Sequence, residues 1–156
     1  MNRYSHVQLI LAGILILLVQ LLLMRHLTIF GTEGDLLLVW LVWMASWKDR
    51  TQVLLYTAAF SFLLDLGTEM WGVHTFAKTL LIYLTHTYLN NVSANRLIFW
   101  QVFLILLAMA VVHQVLIVLL TELNGIPLGP WNRWTLVSVG SLYTAFIGSF
   151  LYLIRN

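Results

Sequence analysis

The sequence predicts an all-α, polytopic integral membrane helical bundle of about six transmembrane helices, in a single transmembrane domain over residues 1–156. Three observations carry this. Of 156 residues, 61% are apolar and only 9% charged, whereas about a quarter of a water-soluble domain is charged. The apolar residues gather into six segments separated by short polar turns. The connections between them are short, Asn124 to Arg133 being about ten residues, which leaves no room for a sizeable soluble domain, so most side chains must face lipid or one another.

The segments follow in order. Val7 to Met24 is long enough to span, and its uninterrupted run with no small-x-small site before Arg25 reads as an uncleaved first helix rather than a signal peptide. Leu36 to Trp47 and Val53 to Leu66 are short against the roughly 17–25 residues of a span. Borrowed flanking residues, local bilayer thinning or deep packing would accommodate them; a re-entrant pair is the competing reading. Gly72 to Leu89, Leu97 to Thr121 and Thr135 to Ile154 complete the set.

Lys and Arg in short loops set the orientation. With both ends cytoplasmic, Arg3, Lys48, Arg50, Arg96 and Arg155 fall inside, and Arg25 and Arg133 outside. Glu33, Asp35, Asp65, Glu69 and Glu122 also fall outside, with Asp49 inside. The connection Asn124 to Arg133 is the longest outer loop and holds both prolines. Trp47, Trp71, Trp131 and Trp134 are expected at interface depth.

Composition also excludes. With no cysteine there is no disulfide framework and no thiolate metal site. A net charge of +2 without any basic cluster beyond Lys48–Arg50 gives no footing for nucleic acid. No Ser/His/Asp, GxSxG, HExxH or P-loop pattern occurs. Asp65, Glu69 and His74 are too few for a metal, with only His113 as a plausible further ligand. No catalytic residue, cofactor or metal is expected.

The organising stretch is Phe60 to His74, FSFLLDLGTEMWGVH. It reads as a helical hairpin with a polar, Gly-hinged, aromatic tip facing the exterior. Asp65, Gly67, Glu69, Gly72, His74 and Lys78 form its candidate structural or partner site. Lys78 is the most costly residue. It lies about six positions into the fourth helix, roughly 9 Å below its start, and is expected to snorkel toward Asp65 or Glu69 as a clamp. A ligand or partner contact is the sharper alternative. His74, Lys78 and Thr85 share a stripe with Thr75, Thr79 and His86 beside it, so this face should point into the bundle or a cavity. Gln101, His113, Gln114 and Thr121 on the fifth helix suit interhelical hydrogen bonds. In the sixth helix, Gly140–Thr144–Gly148 and Ser141–Ala145–Ser149 make small-residue ridges, suited to close helix packing within the chain or against a partner.

At the hairpin, FLLDLGTEMWGVHTFAKTLLIYL resembles the MreD family, the small membrane proteins of the bacterial rod-shape operon. Asp65, Leu66, Gly72 and Val73 stand at the matching positions, preceded by the short aromatic helix and basic turn WLVWMASWKDR. The tip Thr68–Trp71 is bulkier and more acidic than the family's small-residue tip, and Lys78 falls outside its pattern. The resemblance implies a non-enzymatic scaffold of the cell inner membrane. Such a scaffold binds MreC and works with MreB, a RodA-like glycosyltransferase and a class B penicillin-binding transpeptidase in the elongasome, affecting peptidoglycan synthesis and cell shape. It also implies a bundle resembling the substrate-binding S-components of energy-coupling-factor transporters. A vitamin-binding subunit of a transporter is therefore the rival function.

Overall fold

Ser5 opens the first helix with a reciprocal cap. Its hydroxyl accepts the Gln8 amide N–H at 3.3 Å, and the Gln8 side chain accepts the Ser5 N–H at 3.0 Å, satisfying donors that a helix start otherwise leaves unpaired. In the computed structural model, which describes residues 5–24, 26–93, 97–125 and 130–155, α1 runs His6–Val19 and continues as a wider π turn over Gln20–Met24. Arg3, Arg25 and Arg96 of the orientation argument lie outside the described residues. So do residues 126–129 of the outer loop and the side chains of Trp131 and Arg155.

Then follow α2 (Leu36–Ala45), α3 (Arg50–Thr68), α4 (Val73–Ser93) and α5 (Phe99–Leu123). The last apolar segment is built in pieces: α6 (Pro130–Thr135), a π turn over Leu136–Gly140, and α7 (Ser141–Arg155). Among the described residues there is no strand, only an isolated bridge between Ile29 and Thr32 in the α1–α2 loop.

Three stretches, His6–Met24, Phe99–Leu123 and Asn132–Ile154, are long and apolar enough to cross a membrane. α3 borrows residues at both ends and reaches 19, and α4 reaches 21, but these two carry much of the buried polarity, including Thr57, Ser61, Asp65, Lys78 and His86. α2 stays at ten residues. It is the central post of the bundle and touches α1, α3, α4, α5 and α7. Leu37, Leu38, Leu41, Met44 and Ala45 are almost wholly buried, as expected of a helix that is apolar all round. α3 pairs with α4 as a hairpin, and α5 pairs with α7. α1 shows Val7, Leu11, Leu15 and Leu22 outward, a face suited to lipid.

The hairpin tip corrects one expectation. Gly67 is not a hinge: α3 runs through it and ends at Thr68. A Cβ at Gly67 would meet Leu21 at 2.8 Å, so the glycine lets α1 and α3 approach closely. One glycine inside a helix costs only about 1 kcal/mol, which such packing can offset. The chain reverses instead at Glu69 (φ 59°) and Gly72 (φ 80°). Gly72 has no Cβ penalty in that left-handed region.

Candidate functional site

Lys78 ends in the middle of the bundle, wholly buried. A lysine ammonium without a counter-charge at such a place costs several kcal/mol, and α4 has no acid of its own on that face. The partner comes from the turn before α2: Asp35 Oδ2 lies 2.6 Å from Lys78 Nζ. This corrects the expected clamp, because the carboxylate that meets Lys78 is that of Asp35 rather than Asp65 or Glu69. Burial alone would raise the Asp35 carboxyl, yet the Lys78 ammonium outweighs this and holds it well below the usual carboxylate range.

Two histidines complete the cluster. Lys78 Nζ lies 3.2 Å from His113 Nε2 on α5 and 3.5 Å from His74 Nδ1 one turn back on α4. The two imidazoles stack with centroids 6.2 Å apart. His113 Nδ1 faces Asp35 Oδ2 at 3.6 Å.

Asp35 is itself held in place from several sides. Its Oδ1 accepts the Leu38 N–H at 2.8 Å and so caps α2. Its own N–H donates to Thr144 Oγ1 at 2.9 Å on α7, whose hydroxyl donates to the Gly140 carbonyl at 2.8 Å. Next to it, Gln20 at the π turn of α1 donates to the Gly34 carbonyl at 3.0 Å and accepts the Leu36 N–H at 2.8 Å. The cluster and its supports thus tie α1, α2, α4, α5 and α7 into one polar network.

Asp65 has a different task. It is buried three residues before the end of α3 and accepts the His74 and Thr75 N–H groups, each at 2.9 Å, and the Thr75 hydroxyl at 2.6 Å. It caps α4 from across the hairpin. Both oxygens are engaged at the positive end of the helix dipole, where a carboxylate is favoured. Glu69 and Trp71 at the tip are exposed.

The polar stripe of α4 points inward as the sequence requires. His86 is buried and donates to the Lys48 carbonyl at 2.9 Å, while Thr85 bonds back to Leu81 at 2.7 Å. Gln114 and Thr121 are buried and Gln101 is exposed. The small-residue ridges lie within the chain. A Cβ at Gly148 would meet Leu106 of α5 at 2.7 Å and Val39 of α2 at 2.9 Å, and one at Gly140 would meet the Gln114 amide at 3.1 Å. Thr144, Ser141, Ala145 and Ser149 are buried too.

A cavity of about 1290 Å³ is walled by α1 and α2, the end of α4, α5 and α7. Leu9, Trp40, Trp43, Leu106, Ile147 and Leu151 are among its walls, with Gln8 and Ser46 as rare polar groups.

Asp35, Gln20 and Thr144 are functional neighbours that sequence reasoning did not join to Lys78. The available signal was a lone Asp directly before an apolar run, the mark of a helix cap. The chain matches no family model, no curated protein and no solved structure.

Proposed function

We propose that this chain is a non-enzymatic membrane scaffold of the bacterial cell-elongation machinery. In this reading six helices span the inner membrane, both termini are cytoplasmic, and an MreC-like membrane protein is the direct partner. A RodA-like glycosyltransferase, a class B penicillin-binding transpeptidase and MreB are more distant associates. The observation that carries it is the Asp65-capped α3–α4 hairpin, because the MreD-like residues of the sequence gather there. Asp65 closes α4, and Gly72 makes the turn. The result is a tip that presents Glu69 and Trp71 outward, as a docking element should.

The buried network also favours a scaffold. Lys78 turns to Asp35, His74 and His113 within the bundle, so its ammonium is engaged by the chain itself rather than by a substrate. The rival reading, a vitamin-binding subunit resembling an S-component, would place its ligand in the cavity. That space is large enough, but its walls are almost entirely apolar, whereas such a ligand needs several placed polar groups.

Co-purification decides between them. The chain, tagged and expressed with an MreC-like protein from the same genome, should bring that protein down in mild detergent. Recovery of a transport ATPase instead, with no MreC-like protein, would overturn the scaffold.

A further inference from the structure

An ammonium group has three donors and no acceptor. Lys78 directs them at Asp35 Oδ2 (2.6 Å), His113 Nε2 (3.2 Å) and His74 Nδ1 (3.5 Å). Both of those imidazole nitrogens must therefore offer lone pairs. In the closed cluster both rings are neutral, with His74 protonated on Nε2 and His113 on Nδ1, the latter 3.6 Å from Asp35 Oδ2.

We propose that the Asp35–Lys78–His74–His113 cluster is a proton-binding site, and that loading it loosens α2 from α4. A proton has two places to land, His113 Nε2 and His74 Nδ1. Either one turns an acceptor into an N–H pointed at the ammonium, at a depth where water does not screen the repulsion. Asp35 then faces rival cations: Lys78 on α4 and, if His113 is loaded, an imidazolium on α5.

The titratable surroundings are few. Asp35 comes from the turn before α2, Asp65 from α3, Lys78 and His74 from α4, and His113 from α5. From α1 and α7 the network receives Gln20 and Thr144, which do not titrate. The oxygens of Asp65 are already engaged in capping α4.

The sign follows from linkage. The closed cluster accepts no proton on its histidines, whereas the opened cluster exposes imidazoles that titrate near about 6.5. The opened state binds more protons as pH falls through that value, so the closed state is fully stabilised above it and loses stability below it.

The test uses the full chain in detergent micelles, with thermal unfolding measured from pH 8 to pH 5. The wild-type midpoint should fall below about pH 6.5, each linked proton shifting the equilibrium by up to about tenfold per pH unit. His113→Gln keeps an acceptor toward Lys78 without taking a proton, so it should flatten the profile, and His74→Gln should flatten it in part. His6, His26 and His86 are common to all these proteins and cancel in the comparison. A flat wild-type profile, or a double variant that keeps the wild-type slope, would overturn the proposal. Nitrogen-15 imidazole spectra of the wild type decide the matter if the variants do not fold. Neutral rings at pH 7.5 with His113 protonated on Nδ1 support the site, and an imidazolium at either position at that pH refutes it.

Discussion

Asp65 accepts from Thr75 twice, through the amide N–H at 2.9 Å and through the hydroxyl at 2.6 Å. Together with the His74 amide this makes one carboxylate the start of α4. Asp65→Ala should lower stability by roughly 2 kcal/mol, combining a lost cap with orphaned half-buried donors. Asp65→Asn retains an acceptor and should lose about half as much. Denaturation in detergent, followed by helical circular dichroism, checks the order; an alanine variant as stable as wild type would remove the cap from the account.

The buried pair sets a second expectation. Asp35→Asn keeps the cap on Leu38 but removes the charge, and Lys78→Met removes the ammonium but keeps the bulk. Each should cost about 3–5 kcal/mol, because each leaves an uncompensated buried charge. The double variant should cost much less than the sum. A parallel cycle with Asp65→Asn and Lys78→Met should show far weaker coupling. If the strong coupling appeared with Asp65 instead, the assignment of partners would be wrong.

Gly148 gives a third. Its missing Cβ is where Leu106 and Val39 approach α7. Gly148→Leu should overpack this junction, costing at least about 1–3 kcal/mol, and lower accumulation of the protein in membranes. Gly140→Ala should be milder, since the neighbour is the end of the Gln114 side chain. Equal accumulation of Gly148→Leu and wild type would place that surface outside the packed bundle.

Helix positions were legible because burying an apolar segment in a bilayer is a composition effect, visible in each segment alone. All six segments are helical, with most ends displaced by one or a few residues; the start of α2 at Leu36, behind its Asp35 cap, falls where the sequence placed it. The inward polar stripe of α4 was legible for the same reason, since His74, Lys78 and His86 exclude lipid. Pairing was not. Asp35, Asp65 and Glu69 are acids on one side of the bundle, and nearness in sequence favours the hairpin acids for Lys78. What selects Asp35 is the central position of α2, a tertiary fact that no local pattern carries. Gly67 misleads in the same way: a glycine near a turn resembles a hinge, and only the adjacent Leu21 of α1 reveals it as a contact point.

The partnership of Asp35 and Lys78 also bears on how the protein is made. Synthesis delivers Asp35 well before Lys78 and His113 later still. When α4 is made, the counter-ion for its lysine already stands at the head of α2, so the most expensive residue of the chain emerges with its partner present. The hairpin brings its own cap in Asp65, so it can fold as a closed unit. Chain order thus delivers the Asp35 carboxylate first, where it can cap α2 at Leu38, and the lysine that needs it afterwards.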